Sequence, residues 1–123
     1  MLKQSASVLI MENGKVLAVS RKNDPSDMGL IGGKKEPTET LEQCAIRECL
    51  EECGLLIYGL QEVFTAPISW GTYVNTTFIP AGYTGTIHTN EAGVVRWVEP
   101  QIIMAGTFAE YNTALFKHLG LIK

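Results

Sequence analysis

The chain has 123 residues, a formal net charge of −3, 46% hydrophobic residues and 19% charged residues. This length suits a single domain, 1–123, with its own core, and the composition predicts a globular, soluble protein. The acidic balance argues against a surface built for nucleic acid polymers. No apolar run is long enough to span a membrane, and residues 7–11 are too short for the apolar region of a signal peptide. We therefore expect a cytoplasmic protein with no membrane partner.

The first part of the chain predicts a β-hairpin followed by a loop. Residues 5–11 and 15–20 are β-like runs, and Asn13-Gly14 lies between them. Asn-Gly between apolar runs is the strongest short hairpin signal. Residues 21–33 are predicted to be a loop, because 23–27 are all turn-forming residues.

A helix is predicted at residues 40–53, where the sequence has a helical period and no Gly or Pro. Either Thr38 or Thr40 can cap its N-terminus, and Gly54 suits the left-handed residue after its C-terminus. All three cysteines of the chain lie on this helix. Since a helix does not easily bring cysteines one turn apart into disulfide geometry, we expect small buried thiols.

The second part of the chain predicts more strands and a last helix. Strands are expected at 55–64, 73–79 and 94–98, with a further short strand at 84–88. A helical turn is expected at 101–104, and an amphipathic helix at 108–119 with Leu115, Phe116 and Leu119 toward the core. This order of elements predicts an α/β fold in which helices cover both faces of a mixed sheet.

Three acids cluster on the first predicted helix. Glu48, Glu51 and Glu52 fall within a sector of about 100° on a helical wheel. Like charges four residues apart, such as Glu48 and Glu52, destabilise an isolated helix, and a cation would relieve them. Carboxylate ligands of this kind favour Mg²⁺ or Mn²⁺. A plain solvated acidic face would account for the three acids, but not for Glu39 and Arg47 at fixed offsets from them.

The run from Gly33 to Leu55 resembles the Nudix box, G-x5-E-x7-R-E-U-x-E-E-x-G-U, where U is a bulky apolar residue. Every Gly, Glu and Arg of the pattern is in register, and Cys49 takes an apolar position. The resemblance implies the Nudix α/β/α sandwich with a mixed β-sheet. It also implies a metal-dependent hydrolase of a nucleoside diphosphate linked to some group X.

The resemblance gives roles to the polar residues of the box. Arg47 is expected to fix a carboxylate through a bidentate ion pair, with Glu39 as its main partner. Glu51 is expected to be either a further metal ligand or the base that deprotonates the attacking water. The remaining implied metal ligands are Glu48, Glu52 and the carbonyl of Gly33.

Three residues outside the box are also candidates by resemblance. Glu91, in the loop before the strand at 94–98, is either a distal metal ligand or base, or a solvated loop acid. Arg21 suits a phosphate or a base edge, or is a charge at a strand end. Asn112, on the last helix, suits a base edge in MutT-like members, or faces water.

The chain looks like the MutT-like branch of the family, because it begins almost directly at its first hairpin. This predicts Mg²⁺-dependent hydrolysis of a (deoxy)nucleoside triphosphate, with Mn²⁺ as the alternative metal. The rival enzyme is an ADP-ribose or nucleotide-sugar pyrophosphatase. A rival of another class is a non-catalytic nucleotide-binding regulatory module, although such proteins typically lose box acids. The partner is expected to be a small nucleotide, and the protein a monomer or a homodimer.

Overall fold

A computed structural model describes residues 3–68, 72–88 and 93–122. These residues form the following elements in chain order: β1 Lys3–Val8, β2 Met11–Glu12, β3 Lys15–Arg21, β4 Asp24–Lys34, α1 Leu41–Cys53, β5 Leu56–Tyr58, β6 Gln61–Pro67, β7 Tyr73–Ile79, β8 Gly82–Thr84, β9 Val95–Val98, α2 Pro100–Ile103 and α3 Ala109–His118. No helix in this part of the chain has the length and apolar character needed to cross a membrane.

The main sheet is mixed, as predicted. Its strands lie in the order β2-β3-β4-β1-β7-β6, and β9 also pairs with β3. The pair β1–β7 is parallel, whereas β1–β4, β3–β4 and β6–β7 are antiparallel. A separate two-stranded sheet is formed by β5 and β8.

Helices cover both faces of the main sheet, which confirms the predicted layers. One core cluster joins Ala6, Val8 and Ile31 of the sheet to the cysteines of α1. The other joins Leu9 and Ala18 to residues of α2 and α3 on the opposite face. Val8, the last residue of β1, and Leu9, which follows it, therefore belong to different cores.

The predicted hairpin is present, but its first strand is shorter than expected. Strands β2 and β3 pair around Asn13 and Gly14, whose φ angles of 54° and 76° suit a two-residue hairpin turn. The run expected at 5–11 is divided, because β1 leaves the hairpin and pairs with β4 and β7 instead.

The loop predicted at 21–33 is wrong, since most of it is the long central strand β4. The turn is confined to residues 22–23, and 25–27 lie opposite an irregularity in the β3–β4 pairing. From Met28 onward β4 pairs in register with β3 and then with β1. Gly32 and Gly33 weaken the sequence signal of a strand, yet close packing requires a glycine at 32: a Cβ there would collide with the carbonyl of Ala6.

Helix α1 begins and ends as predicted. Thr40 is the N-cap and forms a capping box with Gln43, while Gly54 is the left-handed C-cap with a φ of 79°. Cys44, Cys49 and Cys53 are free and buried, as expected. The two caps therefore fix where α1 begins and ends, and with that the position of each acid along the helix.

Two strand predictions in the second half of the chain are wrong in part. The run expected at 55–64 is two strands in different sheets, separated at Gly59, whose φ is 64°. The strand expected at 84–88 lies earlier, as β8. The predictions at 73–79, 94–98, 101–104 and 108–119 agree with β7, β9, α2 and α3 to within one residue at each end.

Candidate active site

Arg47 holds together one acid before α1 and two acids in its second half. Its Nε and Nη2 donate to the two carboxylate oxygens of Glu39, at 3.0 and 2.7 Å. Its Nη1 donates to Glu48 at 2.6 Å and to Glu51 at 3.0 Å. Nη2 also donates to the carbonyl of Lys34 at 3.1 Å. The bidentate Arg47–Glu39 pair expected from the sequence is therefore present.

The electrostatics of this pair keep both partners charged. The hydrogen bonds from Arg47, with a backbone hydrogen bond from Glu36, lower the pKa of Glu39 to about 2. The same carboxylate raises the pKa of Arg47 above its ordinary value. The pair therefore stays ionised throughout the pH range in which proteins work.

Glu48 and Glu52 contact the Gly32-Gly33 backbone of β4. The backbone N–H of Gly32 donates to Oε1 of Glu52 at 2.8 Å. A Cβ at Gly33 would collide with the carboxylate of Glu48. A side chain at residue 33 would therefore displace the Glu48 carboxylate from this position.

Burial makes these two carboxylates costly to ionise. It raises the pKa of Glu52 to about 8, against the lowering effect of the Gly32 hydrogen bond. It also raises the pKa of Glu48, although Arg47 acts in the opposite direction. Buried carboxylates with raised pKa values are typical of functional sites, because a fold gains no stability from them.

The donors at this position fit a hard divalent cation. Glu48 and Glu52 offer carboxylate oxygens beside the Gly33 backbone, and burial leaves their negative charge poorly solvated. Within residues 3–68, 72–88 and 93–122, no three His, Cys, Asp or Glu side chains converge as a ready-made metal cage. Glu48 and Glu51 turn toward Arg47, and the carbonyl of Gly33 accepts from the thiol of Cys44 at 3.5 Å. The metal-ligand roles of these residues stay predictions.

A cavity of about 360 Å³ adjoins the acid cluster. The same two glycines, Gly32 and Gly33, line it. Its other walls come from β1, β3, β7 and the region around α3. The site is therefore continuous from the acids, across the two glycines, into the cavity.

Arg21 and Asn112 both line this cavity, as their predicted roles require. The guanidinium of Arg21 lies over the ring of Phe108, 5.7 Å from its centroid. Asn112 is 2% exposed, and its amide donates to the carbonyl of Ile103 at 3.0 Å. It does not face bulk water. Glu91 lies outside the described residues, so its role stays a prediction.

The sequence analysis missed much of the cavity wall. Phe108 and Tyr111 line it from the start of α3, and Ser5, Ser7 and Asn75 line it from two neighbouring strands. A partial signal for the strand residues is present in the sequence, since polar side chains stand at 5 and 7 on either side of Ala6 and form the run 75–77. This signal cannot be interpreted from the sequence alone, because the two sets of polar residues meet only through the parallel pairing of β1 and β7.

Comparison with known proteins gives the family. A family model described as the NUDIX domain matches residues 1–119. The chain belongs to the Nudix family. The match supports the predicted class of activity, a Nudix-type pyrophosphohydrolase. Enzymes of this family generally use divalent metals.

Solved Nudix structures share the fold. A putative Nudix hydrolase family member from Chromobacterium violaceum is 25% identical, with a TM-score of 0.77 over 98% of this chain and 79% of that one. The mutator MutT protein from Bacillus halodurans is 18% identical, with a TM-score of 0.76 over 96% and 82%. The NUDIX domain of Shewanella oneidensis NrtR, complexed with ADP ribose, is 18% identical, with a TM-score of 0.75 over 98% and 88%.

Proposed function

We propose that this Nudix protein hydrolyses a pyrophosphate bond of a (deoxy)nucleoside triphosphate, with Mg²⁺ or Mn²⁺ at Glu48 and Glu52. The observation that carries the proposal is the shared glycine pair. Gly32 and Gly33 contact the two half-buried carboxylates and also line the cavity. A base bound in the cavity would therefore place its phosphates across two residues that have no side chains to obstruct them.

The residues of the site divide the work of the reaction. The cation supplies, when bound, positive charge against the clustered charge of the phosphates. Arg47 holds Glu39, Glu48 and Glu51 in fixed positions. Glu51 serves as a further ligand or as the base that takes the proton from water, and Glu91 adds a ligand or a base from the loop before β9.

The residues of the cavity wall bind the rest of the substrate. Arg21 supplies a cation for a phosphate or a base edge, and its contact with Phe108 fixes it at the cavity wall. Asn112 contacts the base. One of its two amide N–H groups is used by Ile103, which leaves its Oδ1 and its second N–H for the base.

An ADP-ribose or nucleotide-sugar substrate is the second candidate, and the ADP ribose in the Shewanella oneidensis Nudix domain favours it. The size of the cavity favours the triphosphate. A volume of about 360 Å³ lies near the lower end of the range for small-molecule sites and suits one nucleoside without a second sugar.

A product screen tests the proposal. The protein is incubated with Mg²⁺ or Mn²⁺ and with dNTPs, ADP-ribose, dinucleoside polyphosphates and sugar nucleotides, and the products are identified by anion-exchange chromatography. We expect cleavage of triphosphates, lost by about 10²-fold or more in Glu52→Gln and retained in Glu42→Gln, an exposed acid on the same helix. Cleavage of ADP-ribose alone would select the second candidate. Equal activity in Glu52→Gln and wild type would refute the site.

A further inference from the structure

A row of polar side chains crosses the floor of the cavity. Ser5 and Ser7 of β1 lie directly opposite Asn75 and Thr77 of β7 in the parallel register. All four residues are at most 7% exposed. Tyr111 of α3 contacts the far end of the row. Parallel pairs in the middle of a sheet usually bury apolar residues, so a polar row here needs a reason.

The hydrogen bonds of this row run in a single direction. Tyr111 contacts the backbone carbonyl of Asn75 at 3.2 Å, and a carbonyl can only accept. The Tyr111 hydroxyl therefore donates its proton to that carbonyl and accepts from Thr77 at 2.7 Å. Thr77 in turn accepts from Ser7 at 2.8 Å, and Ser7 accepts from Nδ2 of Asn75 at 3.0 Å. Only this direction satisfies every contact.

The direction decides what the row offers to a ligand. Since Nδ2 of Asn75 points to Ser7, its Oδ1 faces Ser5 and takes the Ser5 proton at 2.8 Å. The hydroxyl oxygen of Ser5 is left with its lone pairs, and it accepts no hydrogen bond from any described residue. Ser5 lines the cavity, so the row ends there in a hydrogen-bond acceptor.

A second acceptor lies on the same cavity. Asn112 donates one of its two amide N–H groups to Ile103, and its Oδ1 remains available to a ligand as an acceptor. A carbonyl oxygen of the ligand placed against the Ser5 oxygen would meet an acceptor instead of a donor, which costs binding energy. An amino group at the same place donates an N–H to Ser5 and has a second N–H for a neighbouring acceptor such as Asn112.

We infer that the row from Tyr111 to Ser5 makes the cavity specific for a nucleobase that carries an exocyclic amino group. The inference rests on the proposed nucleotide substrate and names its chemical class. Ser5 contacts the base, while Thr77 and Tyr111 act as positioning residues. They set the direction of the hydrogen bonds, and neither of them lies at the Ser5 end of the row, where the acceptor is.

Pairs of nucleotides that differ by one amino group test the inference. The pairs are dGTP with dITP, and dATP with the purine deoxynucleoside triphosphate that lacks the amino group. In at least one pair, the wild-type kcat/KM should favour the amino form by about tenfold, the value of one hydrogen bond to a buried acceptor. Ser5→Ala should lose most of this preference. Ratios near one in both pairs for the wild type would overturn the inference.

Two threonines on β7 provide a matched comparison. Thr77→Val interrupts the row of hydrogen bonds at a residue that the ligand does not contact. The Asn75 amide can then turn, so that the Ser5 proton points into the cavity. The preference for the amino form should then fall toward one. Thr76→Val makes the same change on the adjacent buried residue, whose hydroxyl bonds Thr65 on the opposite face of the sheet. It should keep the preference. Equal preference in both variants would contradict a directional role for the row.

Binding measurements separate this inference from the proposed function. Calorimetry with the monophosphates dGMP and dIMP reports the cavity alone. Hydrolysis without discrimination between amino and amino-free bases overturns the inference and leaves the proposed function standing. Discrimination in binding without any hydrolysis supports the inference and removes the proposed activity. If neither hydrolysis nor nucleotide binding is found, both fall. A thermal unfolding transition checks that each variant is folded. If Thr77→Val does not fold, Ser5→Ala tests the inference instead.

Discussion

Replacing Glu52 by Gln should make the metal-free protein more stable while removing its activity. The carboxylate of Glu52 is buried against the backbone of β4, and burial raises its pKa from 4.5 to about 8. Gln has nearly the same shape, and its Oε1 can still accept from the N–H of Gly32. The variant therefore removes the charge without opening a cavity or breaking the backbone hydrogen bond.

The size of the effect follows from the two pKa values of Glu52. The unfolded chain releases the Glu52 proton near pH 4.5 and the folded protein near pH 8. Between these values the folded state binds more protons, so the free energy of unfolding falls as pH rises, by about 1.36 kcal/mol per pH unit. At pH 7 the free energy of unfolding of the wild type is lower than near pH 4.5 by up to roughly 3 kcal/mol. The variant with the neutral Gln has no such decrease.

Urea denaturation in the presence of a chelator measures this difference. The free energy of unfolding is determined at pH 5, 6, 7 and 8 for wild type, Glu52→Gln and Glu42→Gln. The advantage of Glu52→Gln should grow with each pH step and level off above pH 8. Glu42→Gln removes the same charge from an exposed position in the first turn of α1, and it should show no such growth. A stability difference that does not depend on pH would refute the argument, as would a less stable Glu52→Gln at pH 8.

Three further outcomes are expected. Mg²⁺ or Mn²⁺ should raise the melting temperature of the wild type by mass action, and the gain should shrink in Glu48→Gln; equal gains would place the ions elsewhere. Arg47→Lys should lower kcat strongly, because a single ammonium cannot make the bidentate contact with Glu39; a kcat close to that of wild type would mean that the fork geometry is dispensable. Glu91→Gln should depress kcat on every substrate, whereas Asn112→Ala should change kcat/KM unevenly between bases; a uniform effect of Asn112→Ala would remove it from the base contact.

The sequence predicts best those elements whose signals are local. Helix α1 has its own cap, its own stop and an uninterrupted period, and the hairpin of β2 and β3 depends on two adjacent residues, Asn13 and Gly14. Strand β4 is not predicted, because residues 23–27 are turn-forming and its two glycines serve distant contacts. Gly32 avoids a collision with the backbone of the neighbouring strand, and Gly33 leaves room for a carboxylate on a helix. No local pattern contains that information.

The same distinction applies to the site. The positions of Glu39 and Arg47 relative to each other follow from their spacing along one segment, so their pairing was predicted. The cavity wall is different, because Ser5 and Asn75 are 70 residues apart in the chain and meet only through the β1–β7 pairing. Spacing in sequence cannot identify such a pair without the topology.

The charge balance around Arg47 explains why the fold keeps acids that weaken it. The guanidinium has five N–H groups, and all have acceptors: two go to Glu39, one each to Glu48 and Glu51, and one to the carbonyl of Lys34. Arg47 therefore has no donor left for Glu52. Its single positive charge is also shared among several carboxylates, so the cluster as a whole stays negative. In the metal-free protein, the raised pKa of Glu52 lets this acid keep a proton at neutral pH, which limits the excess negative charge. A bound divalent cation would take the place of that proton, and Glu52, the acid that Arg47 does not reach, is where its charge is most needed.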